Sequence, residues 1–358
     1  MKNLKKVILT TGGTGGHIYP ALAVAEGLKI KNIDVLFVGT SIRMEKDIVP
    51  EAGFRFIGLD IKPPRTIKTI LKYLKGVWEG IKIVYREKPD AIIGFGNYIS
   101  VPVIIGGILL RKKIYLQEQN ANLGWTNKVF YKFAEKTFLA FDKTYDDIPI
   151  KYQRKFEVTG NPLREEINYV SENEEKERLK LEDGERVILI TGGSLGAKDI
   201  NDAVIKNWDK FLEDKKLRVY WATGNKNYDE ITTKIVKTKM SDTVKPYFNN
   251  MINIMAAADL IICRAGALTI SEIIELEKPS IIIPYNSLKV GQYDNAKILE
   301  ENNSALVYTN AEADAAIEKA LELIKNEEVL KSMKVRVRAL KKSNAVEKII
   351  NNLDIWRN

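Results

Sequence analysis

The chain is 358 residues long, more than one hydrophobic core usually organises, and its 45% hydrophobic and 29% charged residues are the balance of a folded chain rather than a disordered one. Its 56 Lys and Arg outnumber 47 Asp and Glu for a net charge of +9, which implies an anionic partner without choosing between nucleic acid, acidic lipid and nucleotide phosphate. A single cysteine, Cys263, excludes an intrachain disulfide, and with a single histidine, His17, it supplies too few ligands for an ordinary zinc site.

From the N-terminus, Met1 to Lys6 leads directly into a predicted strand, Val7 to Thr10, with no apolar signal region, so export is not expected. That strand runs into Thr11-Gly12-Gly13-Thr14-Gly15-Gly16-His17 and then into a helical stretch at Ala21 to Ala25. Glycines at such a junction leave backbone amides bare at the positive end of a helix dipole, a setting that suits phosphate. The turn has neither the G-x-G-x-x-G spacing of a dinucleotide fold nor the Gly-Lys-Ser/Thr of a P-loop. His17 at its end is placed either to take a proton near neutral pH or merely to cap the turn.

Further strands are predicted at Asp34 to Val38, Ala91 to Phe95, Ile114 to Gln117, Thr137 to Ala140 and Phe156 to Thr159. Between the first two, Ile67 to Lys82 is amphipathic: Ile67, Ile70, Leu71, Leu74, Val77, Trp78 and Ile81 share one face, and Lys68, Lys72, Lys75 and Lys82 flank it. The pattern fits a helix packed on a sheet, which periodicity alone favours, and equally a helix lying in an anionic lipid interface. The longest uncharged run, near Asn97 to Leu110, is shorter than the roughly 20 residues that span a bilayer.

Gly160-Asn161-Pro162 follows a strand and cannot continue it, so a hinge is placed there. Beyond it, Val187-Ile188-Leu189-Ile190-Thr191-Gly192-Gly193-Ser194-Leu195-Gly196 echoes the first glycine turn and its strand. The echo implies two similar halves, each a parallel sheet wound on both faces. Strands of the second half are predicted at Val187 to Thr191, Val219 to Ala222, Leu260 to Cys263, Ser280 to Pro284 and Ala305 to Val307. After the third of these, Gly266 to Glu272 opens a helix whose first-turn amides can hold a diphosphate, with Glu272 placed to accept from ribose hydroxyls or simply to favour the helix start. Gln292 and Asn295 follow the next strand on a polar stretch suited to sugar hydroxyls. No Asp-x-Asp motif is present, so leaving-group charge falls to helix dipoles, amides and an arginine, with Arg164 the candidate.

These segments together resemble the MurG family of peptidoglycan N-acetylglucosaminyltransferases over essentially the whole length. The resemblance rests on Thr11 to His17 with Pro20, Glu118-Gln119-Asn120 with Thr126-Asn127-Lys128, Gly160 to Arg164, Gly192-Gly193-Ser194, and Arg264 with Gly266 to Glu272. It implies an α/β protein of the GT-B fold, two Rossmann-like domains facing across a cleft. Residues 1–161 would form the acceptor and membrane-docking domain, with a C-terminal helix in 341–358 returning to it, and 162–340 the donor domain. The implied reaction is inverting transfer of N-acetylglucosamine from UDP-N-acetylglucosamine to the C4 hydroxyl of the muramoyl sugar on a polyprenyl diphosphate, lipid I to lipid II.

Carried over by motif position, Glu272 takes the ribose, the amides of Ala267, Leu268, Thr269, Ile270 and Ser271 the diphosphate, and Ser194 and Arg164 the donor phosphates or sugar. Gln292 takes the sugar hydroxyls, Asn249 edges the uracil, and Thr14, Gly15, Gly16 and Asn120 reach the donor from the first domain. His17 is the expected base, with Glu118 as the second candidate; Gly12, Gly13, Gly96, Asn97, Tyr98 and Ser100 are expected to meet the acceptor. The family's membrane-docking region coincides with Ile67 to Lys82, which turns the reading of that stripe toward lipid. Asn97 and Val101 stand where the family has glycines, Gln117 where it usually has His, Leu195 where it has Gln, and Gly291 where a second Gln is frequent. No metal or cofactor and no nucleic acid is expected; an anionic membrane surface at the cytoplasmic face and cell-wall synthesis or division proteins are the expected partners. A diacylglycerol glycosyltransferase of the same fold and a noncatalytic nucleotide-sugar or anionic-lipid binding module are the alternatives.

Overall fold

A computed structural model describes residues 4–146, 148–193, 195–286, 291–342 and 344–353. The chain divides into two compact units, one running to Arg164 and resuming at Lys342, the other spanning Glu165–Lys341.

The first unit is built on a wholly parallel sheet of β1 (Lys6–Thr10), β2 (Asp34–Thr40), β3 (Arg55–Leu59), β4 (Ala91–Gly94), β5 (Lys113–Glu118), β6 (Lys136–Leu139) and β7 (Phe156–Val158), ordered β3-β2-β1-β4-β5-β6-β7. The middle residues of its central strands, such as Val7 to Leu9 and Ala91 to Ile93, are apolar because helices cover both faces. Val7, Leu9, Val35, Phe37 and Ile93 point to one side, where they pack with α1 (Gly15–Ile30) and with Ile349, Ile350 and Leu353 of the C-terminal segment. Ile8, Leu36, Val38, Ile92 and Leu116 point to the other, against residues of α3 (Ile67–Glu87) and α4 (Asn97–Leu109). A short α2 (Glu45–Glu51) follows β2, and α5 (Trp125–Phe130) follows β5.

The second unit has β8 (Arg186–Thr191), β9 (Leu217–Ala222), β10 (Val244–Lys245), β11 (Leu260–Cys263), β12 (Ser280–Ile282) and β13 (Ala305–Val307), all parallel, in the order β10-β9-β8-β11-β12-β13. In both sheets the strand order reverses beside the first strand of the unit, and open α/β sheets bind ligands at such a reversal, at the carboxyl ends of the strands. The two sheets thus set the glycine turns after β1 and β8 at their reversal points. Two edge strands, β3 and β10, were not expected. Arg55-Phe56-Ile57-Gly58-Leu59 is half exposed with no continuous apolar run, and β10 is two residues long, too short to leave a periodic pattern.

Candidate active site

The turn after β1 is shaped by an anion of its own. Glu45, the fully buried first residue of α2, accepts from Thr40 N (3.0 Å) and Thr40 Oγ1 (2.6 Å) on one oxygen and from Gly13 N (3.0 Å) on the other. Gly13 N therefore already has an acceptor inside the protein. The amides left without an intrahelical acceptor are those of Gly15 and Gly16, at the start of α1 behind Thr14.

The turn after β4 closes on the first. Asn97 has φ +67, a left-handed conformation that asparagine tolerates better than other side-chain-bearing residues, so its replacement of a glycine keeps the turn. Its Nδ2 donates to Gly12 O at 3.3 Å, tying one loop to the other. Ser100, expected at the acceptor, is fully buried instead and its hydroxyl lies between Gly96 O (2.6 Å) and Thr10 O (2.8 Å), an internal cap on α4. Tyr98 is half buried; its carbonyl accepts from Tyr73 of α3 at 2.6 Å, and burial raises its phenol above the ordinary value.

His17 is half exposed in the first turn of α1. Its Nδ1 lies 2.8 Å from Gln119 Oε1, and a Cβ on Gly96 would stand 3.8 Å from the ring, so the imidazole is wedged between the turns after β1, β4 and β5. Glu118 is close by in sequence but differently employed. One of its oxygens accepts from Asn120 N (3.1 Å) and Nδ2 (3.0 Å), the other from Gly124 N (2.7 Å) and Asn127 Nδ2 (2.8 Å), and the side chain is 2% exposed. Four donors occupy the carboxylate, which makes it the clasp of the Asn120–Gly124 loop. Asn120 is held beside it. Arg164 lies with its guanidinium 5.4 Å from the Tyr19 ring, in the first unit rather than beyond the hinge.

In the second unit the helix Ala267–Glu275 begins at the end of β11 behind Gly266. Ile270 N already donates to Gly266 O at 2.9 Å, and the Ser271 hydroxyl is turned back onto Ala267 O at 3.0 Å. Only the amides of Ala267, Leu268 and Thr269, with that of Gly266, are left open at the N-terminus, so Ile270 and Ser271 build the site without offering a free donor of that kind. Arg264, 8% exposed, fixes the surrounding loops: it donates to Ile283 O (2.9 Å), Pro284 O (3.2 Å), Asp199 Oδ2 (3.1 Å) and Asn310 Oδ1. Gln292 accepts from Tyr285 N at 2.9 Å, and Asn295, 1% exposed, donates to Ala265 O at 3.2 Å. Glu272 is half buried near Cys263, whose thiol burial pushes up to about 12. Asn249 is exposed after β10, and Ser194 lies outside the described residues.

The apolar stripe of α3 faces outward. Ile67, Leu71, Leu74 and Trp78 are 80%, 63%, 59% and 58% exposed, with Ile70 and the Lys68, Lys72 and Lys75 side chains also at the surface. The helix is seated by its other side: a Cβ on Gly76 would meet Ile61 at 2.1 Å and one on Gly80 the Pro102 backbone at 2.7 Å. The stripe is thus not the face that packs on the sheet. Among the described residues no helix is long and apolar enough to cross a membrane, and no cluster of His, Cys, Asp and Glu has metal-binding geometry.

Two parallel, doubly wound units of this topology, each with a glycine turn where its strand order reverses, make up the GT-B fold. The crystal structure of Acinetobacter baumannii MurG has the same fold, with a TM-score of 0.81 at 26% identity, covering 98% of this chain and 100% of that one. A UDP-GlcNAc 2-epimerase from Neisseria meningitidis shares the fold at 14% identity and a TM-score of 0.68, over 97% and 99% of the two chains. The models of the glycosyltransferase family 28 N-terminal and C-terminal domains match residues 7–139 and 187–353. A Fusobacterium nucleatum protein named UDP-N-acetylglucosamine--N-acetylmuramyl-(pentapeptide) pyrophosphoryl-undecaprenol N-acetylglucosamine transferase is 63% identical over 100% of both chains. Its Halothermothrix orenii namesake is 35% identical over 98% of each. The chain belongs to glycosyltransferase family 28, within the MurG group of N-acetylglucosamine transferases.

Sequence reasoning missed Glu45, which no motif signals because it acts from the next crossover. In the sequence Gln119 and Asn161 stand out only as motif positions and Gln117 only as a departure. The hydrogen bonds that give these amides a task join residues 42 to 102 positions apart.

Proposed function

We propose that this chain transfers N-acetylglucosamine from UDP-N-acetylglucosamine to the C4 hydroxyl of the N-acetylmuramyl-pentapeptide carried on undecaprenyl diphosphate, with inversion at C1. The observation that carries this reading is the 63% identity, without gaps in coverage, to a relative named for that reaction. The second unit takes the donor: the open amides of Ala267, Leu268 and Thr269 receive the diphosphate, Glu272 the ribose, Gln292 the sugar, and Asn249 the uracil edge. The first unit takes the acceptor around Gly96 and Asn97, with Gly15, Gly16 and Asn120 lining the same turns.

His17 removes the hydroxyl proton as the oxygen attacks C1, and the electron pair of the breaking bond leaves with UDP, whose charge the helix N-terminus and Arg164 stabilise. Half exposure and a ring nitrogen turned away from Gln119 suit it to that task. The outward stripe of α3, rimmed by lysines, docks the protein on an anionic membrane surface, where a polyprenyl acceptor resides. The test is UDP release from UDP-N-acetylglucosamine with lipid I or a short-chain analogue, run beside diacylglycerol. Release with the muramyl acceptor alone supports the reading; release with diacylglycerol alone replaces it with a glycolipid synthase.

A further inference from the structure

Gln119 is 1% exposed, and its surroundings dictate which way its amide points. The Nε2 group lies 3.2 Å from Phe95 O and 3.3 Å from Gln117 O, and it also donates to Gln117 Oε1. A flipped amide would set Oε1 against three oxygens with no proton to share, so Oε1 is left facing His17 Nδ1 at 2.8 Å. An amide oxygen only accepts. The proton in that bond therefore belongs to the imidazole.

The orientation is propagated one step further. Gln117, fully buried, donates Nε2 to Glu118 O (3.1 Å) and to Asn161 Oδ1 (3.0 Å), which reserves its own oxygen for Gln119. Asn161, 6% exposed, closes the circuit by donating Nδ2 to Gln119 O at 3.0 Å. Every donor in the chain points away from His17, and no amide in it titrates.

We propose that Gln119, oriented by Gln117 and Asn161, is a positioning residue that fixes neutral His17 as the Nδ1–H tautomer and so presents the Nε2 lone pair to the acceptor hydroxyl. The proposal rests on the reading of His17 as the base. A neutral imidazole in water favours the Nε2–H form, which would bury the lone pair against Gln119 and turn an N–H toward the substrate; the amide relay reverses that preference. It also gives Gln117 a reason: an amide at that position has the donor that Asn161 accepts and the acceptor that Gln119 requires, and it adds no second ionisation.

Because His17 is the only histidine, histidine-selective 15N labelling yields one imidazole with no assignment problem. Long-range 1H–15N correlation on the unmodified protein at a pH where the ring is neutral is expected to show a protonated Nδ1 and an unprotonated Nε2. In Gln119→Met, of similar volume but without an acceptor oxygen, the Nε2–H form should appear, and kcat should fall about 10- to 100-fold with the KM for UDP-N-acetylglucosamine unchanged. An Nε2–H imidazole in the unmodified protein, or an unchanged tautomer in a folded Gln119→Met, overturns the proposal; the first of these readouts needs no variant to fold. Should the tautomer behave as stated while His17→Ala keeps its kcat, the relay stands and the base assignment is what fails.

Discussion

Around His17 the polar side chains divide into one half-exposed imidazole and a set of buried supports. The imidazole is half exposed, whereas Glu45, Gln117, Glu118, Gln119 and Ser100 are all buried within 2% of full. Buried polar groups must find partners, and these find them in the very loops that carry the site. His17→Ala is expected to lower kcat by about 100-fold or more while leaving the KM for UDP-N-acetylglucosamine close to that of the unmodified protein, because the donor is assigned to the other unit. Steady-state kinetics with the donor varied at saturating acceptor decides it, and an unchanged kcat removes His17 as the base. Glu118→Gln should act differently. Loss of charge on an acceptor of four N–H bonds loosens the Asn120–Gly124 loop, so thermal stability falls by about 1–3 kcal/mol along with activity, and the pH profile keeps its shape. A change in the acidic limb of that profile would instead return Glu118 to the chemistry.

At the scale of elements, α3 shows why period and function are separate questions. Its spacing of apolar residues is that of any amphipathic helix, and nothing in it says which side meets the sheet. The structure answers through glycines: Gly76 and Gly80 allow Ile61 and Pro102 to approach, which leaves Ile67, Leu71, Leu74 and Trp78 outward. Replacing Leu71 and Leu74 by Glu should abolish sedimentation with anionic vesicles while transfer to a water-soluble acceptor analogue continues, since both side chains are well exposed on the outward stripe. Equal vesicle binding by this variant would disprove the docking face. Gly80→Ala, by contrast, presses a Cβ against backbone that cannot swing aside, and thermal unfolding should show a loss of about 1–3 kcal/mol. Central strands such as Val7–Thr10 and Leu260–Cys263 were legible because burial on both faces leaves unbroken apolar runs. The glycine turns were legible as strand-to-helix junctions for a similarly local reason. What sequence did not disclose was the internal use of those turns: Glu45 on Gly13 and Ser100 on Thr10 join residues 32 and 90 positions apart whose proximity the sheet order decides, while the donors on Glu118 come from the loop that follows it.

For the molecule as a whole, two units of one architecture carry different anchors. In the second, Glu172 accepts from Lys176 (3.1 Å), Lys278 (2.9 Å) and Lys334 (2.7 Å), joining the segment that leaves the first unit to two distant parts of its own. Burial alone would raise the Glu172 carboxyl, but the three ammonium groups outweigh it and hold the carboxyl at about 2 rather than 4.5. A carboxyl whose folded value is depressed contributes stability that is full above its ordinary value and disappears as pH falls through the folded one. Resistance of the second unit to chemical denaturation should therefore fall progressively from about pH 4.5 to about 2, and Glu172→Gln should flatten that part of the curve; an unaltered slope would show that other carboxylates set it. Burial pushes Lys278 down at the same time, so the network gains less than the Glu172 shift alone implies. The central claim, transfer of N-acetylglucosamine to a lipid-linked muramyl sugar, is tested most directly by following radiolabel from the sugar of UDP-N-acetylglucosamine in the presence of lipid I. The label should move into the organic phase on an intact diphosphate lipid, in amounts equal to the UDP released and with a β-linked anomeric proton; label that stays in water as free sugar or as an epimerised donor would contradict it.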